Sequence, residues 1–138
     1  MITRLSHACI YVLDQDSAEN FYVNILGMVV HTNAPMAPGI RWLTVHPKNQ
    51  PDLELSLCPV VEGMMFNKDT AGKMRELVKA GSFGFGVFDC DDIYATYEEL
   101  KAKGVVFSKA PKEEFYGVEA LFKDDSGNWF SMTQRKAE

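Results

Sequence analysis

The chain has 138 residues, 46% hydrophobic and 24% charged, a balance that excludes a disordered polymer and predicts one domain of roughly 150 residues. Its 14 basic and 19 acidic residues leave a net charge of −5 and no basic stripe, which speaks against nucleic acid or an anionic membrane as partner. Apolar runs such as Ala8 to Leu13 fall far short of the ~20 residues of a membrane span, and no leader-like segment opens the chain. Cys9, Cys58 and Cys90 lack CxxC spacing, so reduced thiols and a cytoplasmic location are expected.

In chain order, His7 to Leu13 predicts a first strand. A helix is expected over 17–26, where Ala18, Phe21, Tyr22 and Ile25 keep helical spacing and Gly27 offers a C-cap. Arg41 to Leu57 reads as strand, polar turn (Pro47 to Asp52) and strand. Glu62 to Lys68 carries Met64, Met65 and Phe66 without periodicity. It suits either a linker tucked against the core or an adaptable apolar flap over a pocket. Thr70 to Ala80 predicts a connecting helix that buries Met74, Leu77 and Val78. The pattern then recurs. Phe83 to Phe88 is a strand, and Asp92 to Lys103 a helix with the stripe Ile93, Tyr97 and Leu100, closed by Gly104. Val118 to Gln134 is again strand, turn (Asp124 to Asn128) and strand. Gly27 and Gly104 lie 77 residues apart, and 41–57 lies on 118–134 at the same offset without a gap. Two such copies are too few for a solenoid and predict a duplicated α+β module of strand, helix and three strands.

Strand alternation sorts the side chains into faces. Leu53, Leu55 and Leu57 oppose Glu54 and Ser56, and Leu43 and Val45 oppose Trp42 and Thr44. Ala8, Ile10 and Val12 oppose His7, Cys9 and Tyr11. In the second copy Glu119 and Leu121 oppose Ala120 and Phe122, and Ser131 and Thr133 oppose Phe130 and Met132. Large aromatics on a polar face, here Trp42 and Tyr11, often mark a groove. His31 and His46 fall at strand ends beside turns and read as surface histidines.

His7 to Asp14, Phe21-Tyr22 and Leu26 to Met28 resemble the opening of the vicinal oxygen chelate superfamily, which includes glyoxalase I, bleomycin-resistance proteins and extradiol dioxygenases. Asp92-Ile93, Glu99 to Gly104 and Asp125 to Trp129 resemble its second module, so the resemblance runs from about Thr3 to Gln134. It implies a single domain (module 1 over 3–60, a linker helix region over 62–81, module 2 over 82–135) whose paired βαβββ modules curve around a cleft. His7 matches the family's first metal ligand and Glu54 its second. The third falls on Phe85 by motif or Gly84 by strict repeat offset, and the fourth on Ser131. Phe and Gly supply no donor and a neutral Ser is a poor one, whereas a divalent site needs at least three protein ligands. The expectation is therefore no cofactor and no resident metal. A metal-dependent lyase or dioxygenase using His7 and Glu54, joined by Glu119, is the alternative.

Without a metal, His7 and Glu54 would serve as a catalytic or ligand-binding pair, the carboxylate orienting the imidazole as a general base or hydrogen-bond partner. The resemblance places Trp42, Thr44, Phe85, Glu119 and Ser131 beside them as ligand-binding residues. Aromatic walls with two carboxylates imply a planar or apolar small molecule carrying donors or positive charge. Family habit and exposed sheet edges imply a homodimer. Binding and catalysis both remain open.

Overall fold

The computed structural model describes residues 1–63 and 65–137. They form two compact units, Met1–Val78 and Lys79–Glu138, each built on the expected α+β pattern. In the first, β1 (His7–Val12) leads into α1 (Gln15–Glu19) and a π-helical turn (Asn20–Ile25), followed by β2 (Val29–Ala37), β3 (Ile40–His46), β4 (Glu54–Pro59) and α2 (Lys68–Lys79). In the second, β5 (Gly84–Asp89), α3 (Ile93–Ala102), β6 (Val106–Glu114), β7 (Gly117–Lys123) and β8 (Trp129–Arg135) repeat that order. The sheets are topological copies, β1-β4-β3-β2 and β5-β8-β7-β6. In each, the first and last strands pair in parallel and the others antiparallel. No helix among the described residues is long and apolar enough to cross a membrane.

Alternation puts one face of each sheet against its helix. Ile10, Val12, Leu43, Val45, Leu55 and Leu57 are buried with Ala18, Phe21 and Tyr22 of the first helical segment. Ala120, Phe122, Phe130 and Met132 are buried with Ile93 and Leu100 of α3. Full burial of side chains of this size stabilises by about 1.5–3 kcal/mol apiece. The first helix starts two residues before the sequence suggests, because Asp14 is its N-cap and accepts from the Ser17 N–H at 2.8 Å. Its second half widens to π geometry, where Leu26 N–H reaches back five residues to the Phe21 carbonyl. Gly27, at φ +77°, then ends the helix as expected. The connecting helix spans Lys68–Lys79 rather than Thr70 to Ala80, capped by Asn67, whose side chain accepts from Thr70 N–H. Ala71 and Val78 make its buried line, and Leu77 is half exposed, because one residue of offset turns it about 100° off that line.

Gln15 fastens the first helix to the sheet. Its amide donates to the Arg41 and Leu57 carbonyls at 2.8 and 2.9 Å and accepts from Arg41 N–H at 2.9 Å. The Arg41 guanidinium returns to Asp16 and Glu19 at 2.7 and 2.8 Å. Gln15→Ala would strand the buried Leu57 carbonyl and the part-buried Arg41 backbone groups, and unfolding in urea should register a loss of about 3 kcal/mol. A loss no larger than that of an exposed-surface change would show that the amide does not hold the helix.

Candidate functional site

On the first sheet, parallel pairing sets His7 directly opposite Glu54. The His7 Nε2 lies 2.9 Å from Glu54 Oε2. Thr44 Oγ1 donates to Glu54 Oε1 at 2.7 Å, and His31 Nδ1 lies 2.8 Å from the same oxygen. Thr32 Oγ1 stands 3.5 Å away. The Thr44 hydrogen bond, followed by the facing His31 and His7, holds the Glu54 carboxyl below its ordinary range against the opposing effect of burial. An ionised Glu54 favours hydrogen on each facing imidazole nitrogen; in the neutral ring that leaves His7 Nδ1 as an acceptor, and Ser6 Oγ sits 2.8 Å from it. The Trp42 ring meets His7 edge-on at 6.3 Å and is 47% exposed.

His31 is the residue that sequence reasoning missed. It lies at an irregularity in β2, where the register shifts between Val30 and Thr32. The extra residue lets both His31 and Thr32 reach Glu54, which simple alternation would forbid. The usable signal was Val30, whose place opposite buried Val45 assigns the next side chain to the polar face. His46 does stay beside its turn, with Nδ1 2.7 Å from the Pro47 carbonyl, but it is buried rather than a surface residue. Thr44 is fully buried, so it positions Glu54 and is not an accessible ligand contact.

The second sheet carries a different arrangement. Glu119 receives Lys109 Nζ at 2.8 Å and Ser131 Oγ at 2.7 Å, and Tyr116 also hydrogen-bonds to it. The Lys109 bond first, then that from Ser131, pull its carboxyl down to about 2. Lys109 reaches Glu114 as well, at 3.0 Å. Ser131 is buried, so like Thr44 it acts on a carboxylate. Phe85 does not join this group. The register shifts between Gly84 and Val87, so Val87 stands opposite Ser131 while the Phe85 ring lies edge-on against buried Phe130 at 5.9 Å. Gly84 faces the Trp129 indole so closely that a Cβ there would sit 2.1 Å from it.

These residues do not fit a closed divalent site. The two imidazoles approach different oxygens of Glu54, and among the described residues no three His, Cys, Asp or Glu side chains are grouped to hold a metal ion. Both carboxylates are already engaged by neighbours, which weakens the expectation that they attract a positively charged ligand. Of the apolar segment after β4, Met64 lies outside the described residues and Met65 is exposed. Phe66 packs edge-on against Tyr11 at 5.3 Å, on the polar face.

A twofold βαβββ repeat with a His–Glu pair across the first and last strands of one copy is the plan of a vicinal oxygen chelate protein. The chain belongs to the glyoxalase/bleomycin resistance protein/dioxygenase superfamily, whose family model matches residues 4–132. It is 34% identical over 134 residues to the protein YetH of Bacillus subtilis (strain 168), covering 97% of this chain and 100% of YetH. The crystal structure of UcmS2 superposes with a TM-score of 0.89 at 43% identity, over 96% of this chain and 98% of that one. TnmS3, an antibiotic binding protein from Streptomyces sp. CB03234, superposes with a TM-score of 0.76 at 28% identity, over 98% of both chains. The fold is that of the glyoxalase/bleomycin-resistance proteins.

Glu119 gives a pH signature. Its carboxyl lies near about 2 in the fold against an ordinary value of 4.5. The stability it contributes is therefore complete above 4.5 and lost as pH falls toward about 2. Lys109→Met should return the Glu119 carboxyl toward the ordinary range in a ¹³C titration and flatten acid unfolding in that window. An unchanged titration would remove Lys109 as the cause.

Proposed function

We propose that this protein binds a small, flat organic molecule on the polar face of its first sheet, without a resident metal. The observation that carries the reading is Glu54: both of its oxygens are engaged by side chains of its own sheet, while Trp42 stands half exposed beside His7. Such a face recognises a ligand through ring contact and through hydrogen bonding at His7, whose Nδ1 lies 2.8 Å from the Ser6 hydroxyl, more than through net charge. Glu54 sets the imidazole tautomer, and Phe66 on Tyr11 supplies an adaptable apolar border. TnmS3 supports the binding role, since it is an antibiotic binding protein of the same fold. The edge strands of each sheet, β1 and β2, β5 and β6, support a homodimer. Three free thiols are in keeping with the cytoplasm.

Titration with a panel of planar aromatic antibiotics, followed by tryptophan fluorescence and native mass spectrometry, tests this. Trp42→Ala and His7→Ala should each weaken a saturable ligand about 10-fold or more, equivalent to about 1.4 kcal/mol. EDTA treatment should leave the affinity unchanged. Binding that survives both substitutions would overturn the site, and loss on EDTA treatment would promote the metal-dependent reading.

A further inference from the structure

We propose that Cys9 and Cys58 form a dithiol site that captures a monosubstituted trivalent arsenical as a cyclic dithioarsenite. The inference stands apart from the binding role above and uses neither His7 nor Glu54. Both thiols lie on the polar face of the first sheet, with Cys9 exposed and Cys58 half-buried. Their sulfurs are 3.4 Å apart, with Cys58 donating to Cys9.

The register favours a one-atom link over a direct S–S bond. Cys9 pairs with Ser56 and Cys58 with Tyr11, so the cysteines are diagonal neighbours on adjacent strands. With strands about 4.8 Å apart and a rise of about 3.3 Å per residue, Cα atoms offset by two residues lie about 8 Å apart, beyond the roughly 4.4–6.8 Å that a disulfide spans. Two sulfurs at about 2.3 Å from one central atom reach the observed 3.4 Å separation at an S–X–S angle of about 95°. That angle suits the pyramidal geometry of trivalent arsenic. A zinc ion would need three or four protein ligands, and among the described residues no third His, Cys, Asp or Glu completes such a group. An organoarsenical brings its own third bond. Its organic substituent would meet Tyr11, the strand partner of Cys58, and Phe66 beside it. Burial, with the contact to Cys9, pushes the Cys58 thiol up to about 12, so Cys58 stays protonated in neutral buffer.

The step involves no oxidation or reduction. An arsenoso group, R–As=O, loses its oxygen; two As–S bonds form, and both thiol protons leave on that oxygen as one water. Arsenic remains trivalent throughout.

The test adds one equivalent of phenylarsine oxide to the full chain and follows intact mass. The wild-type protein should gain one phenylarsenic group in exchange for two thiol protons. The adduct should survive excess glutathione and be stripped by 2,3-dimercaptopropanol. Cys90→Ser should behave as wild type, whereas Cys9→Ser and Cys58→Ser, checked for folding by thermal melt, should each lose the glutathione-resistant adduct. A wild-type adduct washed off by glutathione would overturn the proposal. So would a resistant adduct in either Cys9→Ser or Cys58→Ser.

Discussion

Because β1 and β4 run parallel and in register, His7 stands directly across from Glu54, and much of the first unit's polar face follows from that pairing. The same register places Cys9 beside Ser56 and Tyr11 beside Cys58, so thiols and aromatics line up along one face. A shift of one residue would turn Glu54 into the helix-packed layer and Leu55 into solvent. The leucines and valines buried against the first helix prevent that shift. Apolar burial on one side thus fixes the chemistry on the other.

The two units handle a half-buried carboxylate by different means. Glu54 is bridged by two imidazoles and a buried hydroxyl, whereas Glu119 is held by an ammonium, a buried hydroxyl and a phenol. Lysine stays charged across the working pH range, so Glu119 is permanently matched.

The sequence makes the faces legible wherever the strands are regular. Leu53 to Leu57 and Trp42 to Val45 sort correctly by alternation alone, as do Glu119 to Phe122 and Ser131 to Thr133. Reading fails where the backbone carries an extra residue. The irregularity after His31 adds Thr32 to the polar face beside Glu54, and the one between Gly84 and Val87 withdraws Phe85 from Ser131. Neither has a signature in residue type. Thr44 and Ser131 illustrate a second limit, since alternation gives the side a residue faces and not how deeply it is covered. Asp14 was readable as a cap, being Asp three residues before Ser17, although the π-helical turn after it was not.

The indole lying on Gly84 bears on how the two halves have drifted apart. In the first unit the matching repeat position holds His7; in the second, an imidazole at position 84 would have to displace the Trp129 ring. A side chain at position 84 alone would clash with the indole, whereas a smaller residue at 129 would free the room it needs. The two positions are therefore coupled: 84 accepts a side chain only once 129 is reduced, and Trp129 keeps the repeat asymmetric.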